Sequence, residues 1–166
     1  MTAARRQRKS RRALHALAAL ALCGICVHAG RLEAGTDDRL VVNPATGLAI
    51  SGVDPVAYFT DRKPRFGRPD MELSREGAVW RFRNEGNRAA FADNPDVYRP
   101  RFGGYDPVAI ARGTSVPGHP FVWAVTGGRL YLFYDEAART AFLADPDRVI
   151  AAAERQWPDV ARTIGR

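Results

Sequence analysis

Few side chains in this 166-residue chain combine the type and spacing that chemistry requires. Cys23 and Cys26 form C-G-I-C, which out of context is the spacing of a redox or metal pair. Three histidines, His15, His28 and His119, could ligate metal or carry protons. Asp54 and Asp106 each open the string Asp-Pro-Val-Ala, and Tyr58 and Tyr105 lie beside them. A carboxylate there could contact a metal or ligand near a helix start, or it could cap the helix through the free N–H groups of the first turn. His119, in Pro117-Gly118-His119-Pro120, sits in a rigid loop suited to a metal ligand, a proton shuttle or plain surface. Nucleophilic catalysis finds no support: there is no G-x-S-x-G elbow, and one histidine outside the N-terminal region would have to serve any serine. Phe102-Gly103-Gly104 lacks the spacing and the lysine of a phosphate loop, and paired carboxylates occur only as Asp37-Asp38 and Asp135-Glu136. The expectation is a protein without a catalytic constellation.

The N-terminus decides which of these residues count. Arg5, Arg6, Arg8, Lys9, Arg11 and Arg12 precede an Ala/Leu-rich run over 13–27 that only His15 interrupts. A basic stretch followed by an apolar run too short to span a bilayer reads as an export signal over residues 1–29, with cleavage after Ala29 or Ala34. Ser10-Arg11-Arg12-Ala13-Leu14 resembles the twin-arginine motif, so that route and ordinary secretion both stand open. Both cysteines lie in the apolar run, and His15 and His28 would leave with them. The full chain carries a formal charge of +7, but removing 1–29 leaves 19 basic against 18 acidic groups. A net charge of +1 gives no broad phosphate-binding face, which argues against nucleic acid as a partner. The address implied is periplasmic or secreted, with membrane attachment only through an uncleaved signal.

The remaining chain has the punctuation of one small domain. Residues 30–47 read as an irregular leader and 48–160 as the domain. Strands are expected at 71–74 and 78–83 around Arg75-Glu76-Gly77, and at 121–125 and 130–134 around Gly127-Gly128. Residues 63–69 read as loop. Asn84 and Asp135 are placed to cap helices running to about 92 and 144, Asp54 and Asp106 to cap short ones, and a last helix over 148–156 should stop at Trp157-Pro158. The fold class is α+β, short antiparallel hairpins with short helices packed on them.

The same elements recur. Residues 80–96 shifted by 51 fall on 131–147 with Phe82/Phe133, Glu85/Glu136, Arg88/Arg139, Ala90/Ala141, Phe91/Phe142, Pro95/Pro146 and Asp96/Asp147 identical. Shifted by 52, Gly52-Val53-Asp54-Pro55-Val56-Ala57 falls on Gly104-Tyr105-Asp106-Pro107-Val108-Ala109. Two similar halves, about 48–98 and 104–150, are therefore expected, against the alternative that an aromatic strand followed by a capped helix has arisen twice.

Four segments together resemble the exported single-domain branch of the YHS-domain proteins: the run from Gly47-Leu48-Ala49 to Ala57-Tyr58-Phe59, the stretch 80–98, Arg101-Phe102-Gly103-Gly104-Tyr105, and Trp157-Pro158. The resemblance covers about residues 40–160. It implies a small α+β fold, export, and a link to copper or heavy-metal handling. In those relatives a cysteine typically follows the Gly-Gly-Tyr turn, and here Asp106 stands in its place. A carboxylate with tyrosine and one histidine suits harder ions than copper(I), or none. The candidate metal or ligand residues are Asp106, His119, Tyr105 and Tyr58. The expected function is an exported, non-catalytic module binding a metal ion such as copper or a small ligand. The alternative is a metal-free accessory domain that contacts another envelope protein through an aromatic surface.

Overall fold

The structure, a computed structural model, describes residues 39–164. The export signal, its cysteines, His15, His28 and both cleavage positions lie outside the described residues. No helix among the described residues is long and apolar enough to cross a membrane.

The fold is α+β, built among the described residues from two hairpins and six α-helices. A 3-10 turn at Ile50–Gly52 leads to α1 (Ala57–Thr60), then β1 (Arg68–Arg75) and β2 (Ala78–Phe82) pair antiparallel, followed by α2 (Glu85–Asp93) and α3 (Pro95–Tyr98). A second 3-10 turn at Arg101–Gly104 leads to α4 (Pro107–Ile110), β3 (His119–Thr126), β4 (Arg129–Phe133), α5 (Glu136–Ala144) and α6 (Pro146–Thr163). Glu76-Gly77 and Gly127-Gly128 turn the hairpins, each with both residues at positive φ, the geometry whose twist suits a two-residue loop.

The two halves share a series of corresponding bonds and contacts. Leu73 pairs with Trp80 in the first hairpin and Ala124 with Tyr131 in the second, each ladder slipping register over its opening residues, between Arg68 and Glu72 and between His119 and Trp123. Asn84 caps α2 through Asn87 N–H, and Asp135 caps α5 through Ala138 N–H. Phe91 lies against Trp80 and Phe82 with ring centroids 4.7 and 5.3 Å apart, and Phe142 lies against Tyr131 and Phe133 at 5.0 Å each. Gly67 N–H donates to Gly52 O, and Gly118 N–H to Gly104 O, both at 2.9 Å. These two glycines are required by space: a Cβ at Gly67 would lie 2.3 Å from the Arg81 carbonyl carbon, and one at Gly118 2.6 Å from Leu132 Cβ.

Each half has its own apolar core, and β4 separates them. Leu130 and Leu132 join Ile50, Val53, Trp80 and Phe91, while Tyr131 and Phe133 join Ile110, Phe142, Ala153 and Trp157. β2 alternates buried and half-buried residues, as a strand with one covered face should, whereas β4 is buried on both faces.

Three boundaries differ from those expected. The strands begin earlier, at Arg68 and His119, because the register slip lets the chain rejoin the ladder beyond the bulge. Residues 39–47, expected as a leader, are irregular but tied to the domain: Val41 N–H donates to Gly103 O at 2.8 Å and Val42 bridges Ala49. The last helix does not stop at Trp157-Pro158 but runs on to Thr163. Val149, Ala153, Trp157 and Val160 form one buried stripe on α6, and that burial carries the helix past the missing Pro158 N–H.

Asp54 and Asp106 hold this frame together. Asp54, fully buried, accepts from Val56 N–H through Oδ1 at 2.9 Å and from Arg83 N–H through Oδ2 at 2.8 Å, tying the entry of α1 to the end of β2. Asp106 accepts from Val108 N–H through Oδ1 at 2.8 Å and from Tyr134 N–H through Oδ2 at 2.9 Å, tying α4 to the end of β4. Replacing either aspartate by alanine strands at least two backbone donors, so Asp54→Ala and Asp106→Ala should each cost about 2–4 kcal/mol of stability. Urea unfolding followed by circular dichroism measures this, and a change within experimental error for both variants would contradict it.

Candidate binding site

The four candidate ligand residues are held in three different ways. Tyr58 is buried on α1, its ring edge-on to Trp123 at 5.3 Å, and its hydroxyl donates to the Pro120 carbonyl at 2.7 Å. Tyr105 is half-buried, its ring 6.0 Å from that of Trp157. His119 opens β3 as an exposed residue, and its Nδ1 accepts from Phe121 N–H at 3.2 Å. Only Nε2 of that ring remains to face solvent. Asp106 is buried, both its oxygens engaged by backbone N–H groups. Among the described residues, no three His, Cys, Asp and Glu side chains come together closely enough to hold a metal ion. Three of the four candidate metal or ligand residues are already engaged: the Asp106 carboxylate by backbone N–H groups, the Tyr105 ring by Trp157 and the Tyr58 hydroxyl by the Pro120 carbonyl.

What the structure does bring together is a groove beside Asp106. A cavity of about 300 Å³ opens between α4 and α5, lined by Asp106, Val108, Ala109, Ala138 and Ala141. Exposed Arg112 and Tyr134 give it a polar rim. Its floor is made of small side chains because α5 presents alanines on this side. In volume it stands at the lower end of the range of about 300–1,000 Å³ typical of small-molecule sites. The three residues foreseen as caps, Asp54, Asn84 and Asp135, all make cap-type hydrogen bonds to backbone N–H groups, and Asp135 also lines the groove.

A second concave surface is a cleft of about 430 Å³ that includes Phe102, Gly103, Trp157 and Pro158. Its charges are internally matched: Arg101 pairs with Glu154 at 2.9 Å and Arg99 with Glu76 at 3.0 Å, while Arg129 donates to the Asp96 carbonyl. A surface already neutralised in this way offers little pull on a charged ligand. Phe66 and Phe121 form an exposed aromatic pair, ring centroids 5.5 Å apart, with His119 5.8 Å from Phe121.

Ala138 and Tyr134 were not foreseen as site residues. The signal was present in the 51-residue repeat, where Ala138 stands against Asn87 and Tyr134 against Arg83. Reading the identities alone passes over such differences, and the differences mark where the halves diverge.

No protein-family model matches the chain, and neither a curated protein nor a solved structure gives a match.

Burial dominates the titration of the tyrosines. Removal from water pushes the Tyr58 hydroxyl far above its usual value, and the nearby negative charge of Asp54 pushes the same way. Burial also raises Tyr131 and Tyr105. Below pH about 10 both folded and unfolded chains keep the Tyr58 proton, so stability there is insensitive to it. Above that value the unfolded chain releases a proton that the fold retains, and stability falls by up to about 1.4 kcal/mol per pH unit for each such group. Urea unfolding from pH 8 to pH 12 should therefore show a decline beginning near pH 10. Tyr58→Phe should lose about 1 kcal/mol at neutral pH, with the hydrogen bond to Pro120, and decline less steeply. Parallel curves for the two proteins would rule Tyr58 out as a source of the alkaline instability.

Proposed function

We propose that the chain is an exported, non-catalytic binding module of the YHS type, and that its ligand is a small organic molecule taken up in the second half of the domain. The observation that carries this reading is the cavity beside the buried Asp106 carboxylate. Largely apolar walls with a few polar groups are the usual makeup of a small-molecule site, and here Val108 and the alanines of α4 and α5 supply the walls while Asp106, Asp135, Arg112 and Tyr134 supply the polar groups. The signal over 1–29 supports export, and the segments from Gly47 to Trp157-Pro158 support the family resemblance.

A second reading has an observation of its own. Phe66 is 63% exposed and Phe121 44%, and they pair at 5.5 Å. Such an edge suits contact with another envelope protein, the accessory role that needs no small ligand.

The exported protein, purified with its N-terminus at Gly30 or Gly35, can be screened by thermal shift against small organic molecules and against Cu(II), Zn(II) and Fe(III). The reading predicts organic ligands that raise the melting temperature in the wild type and lose their effect in Ala141→Phe, which fills the groove. It also predicts no metal binding tighter than about 100 μM, roughly −5.5 kcal/mol. Saturable metal binding that disappears in His119→Ala would contradict it. So would organic ligands whose effect Ala141→Phe leaves intact.

A further inference from the structure

The first half supplies a template for what the groove holds. Asp54 Oδ2 accepts two hydrogen bonds, from Arg83 N–H at 2.8 Å and from Asn87 Nδ2 at 2.7 Å. Asn87 is half-buried on α2, three residues beyond the Asn84 cap, and its carboxamide reaches back to the carboxylate. In the second half Asp106 Oδ2 accepts from Tyr134 N–H at 2.9 Å. The residue three beyond the Asp135 cap is Ala138, whose methyl has no donor, and it lines the cavity. Much around the two aspartates is otherwise repeated: the turn through Val56 or Val108, the strand-end amide, the helix cap and the aromatic residue of the helix, with Ala109 N–H at 3.4 Å from Asp106 Oδ1 as an added donor in the second half. The second half is thus built as the first half is, with one carboxamide removed and space left there.

No cation pairs with Asp106 among the described residues, so its carboxylate draws its stabilisation from N–H donors. A buried carboxylate gains most from a further N–H donor delivered without water. We infer that the groove beside Asp106 binds a small ligand headed by an N–H donor, a carboxamide or a primary ammonium, which takes the place that the Asn87 side chain occupies against Asp54. This rests on the reading of the chain as a binding module and adds the chemical class of the ligand. The body of the ligand lies along Ala138, Ala141, Val108 and Ala109, and its outer end meets Arg112 and Tyr134.

The test compares four probes of similar size by ligand-observed NMR on the exported protein: propionamide, n-propylammonium, 1-propanol and propionate. Propionamide and n-propylammonium separate the two donor types, and the alcohol and the carboxylate lack any N–H. At least one donor probe should saturate the wild type with a dissociation constant in the millimolar range, about tenfold tighter than either of the others. Ala138→Asn, which carries its own carboxamide, should raise the melting temperature and weaken the same probe about tenfold. Asn87→Ala should lower the melting temperature and create a second site for it. Should Ala138→Asn fail to fold, Asn87→Ala still reports, because a gained site is read against wild type. Binding of all four probes alike, blocked by Ala138→Asn, overturns the donor assignment and leaves the binding module standing. Donor binding that survives Ala138→Asn, or saturation by no probe, overturns the inference outright.

Discussion

A carboxylate buried among apolar side chains must have every oxygen answered by a donor, and this domain is arranged around meeting that demand twice. Asp54 and Asp106 each sit where a short helix begins and reach across to the amide just beyond a β-strand. Neither bond is local in sequence, since Asp54 lies 29 residues from Arg83 and Asp106 28 from Tyr134. Each closes a loop that contains a whole hairpin, so the hairpin, the preceding short helix and the following capped helix are fixed in one geometry. The proline after each aspartate fits this arrangement because its missing N–H would have found no partner in the first helical turn.

The halves are alike in plan and unlike in packing. β4 carries leucines into one core and aromatic residues into the other, so neither half could bury its apolar surface alone. The long α6 belongs to the second core, where Trp157 meets Phe102 edge-on with centroids 5.7 Å apart. With the second half fastened on both sides in this way, α5 can present alanines to a groove without loosening the fold. The first half spends the corresponding position on Asn87, which completes the hydrogen bonding of Asp54. One half therefore serves as frame, and the other, with the same frame, keeps an opening.

Much of this was legible in the residues. The caps follow from Asx side chains placed just before periodic apolar runs, the hairpin turns from Glu76-Gly77 and Gly127-Gly128, and the two-half plan from the spacings of 51 and 52. The shift between those spacings is also physical: the Arg65 carbonyl accepts from Asp54 N–H and the Val116 carbonyl from Asp106 N–H, so the first half holds one more residue between its aspartate and its hairpin. Two features were not legible. Pro158 breaks helices on local grounds, and only the buried stripe from Val149 to Val160 shows why α6 continues. The groove arises from an absence at Ala138 that has meaning only once Asn87 is seen bonded to Asp54. His119, Tyr105 and Tyr58 are ligand candidates by residue type, and the fold gives each a neighbour of its own: Phe121 N–H, the Trp157 ring and the Pro120 carbonyl.

The central claim is that one half closes its aspartate with its own carboxamide and the other leaves the same place open. The backbone amides of Arg83 and Tyr134 report on the two carboxylates within a single ¹H–¹⁵N spectrum. Of propionamide and n-propylammonium added in turn, at least one should move the Tyr134, Val108 and Ala138 resonances in a saturable way and leave Arg83, Val56 and Asn87 where they are. Equal movement around both aspartates, or a Tyr134 amide that does not respond while others do, would contradict the account.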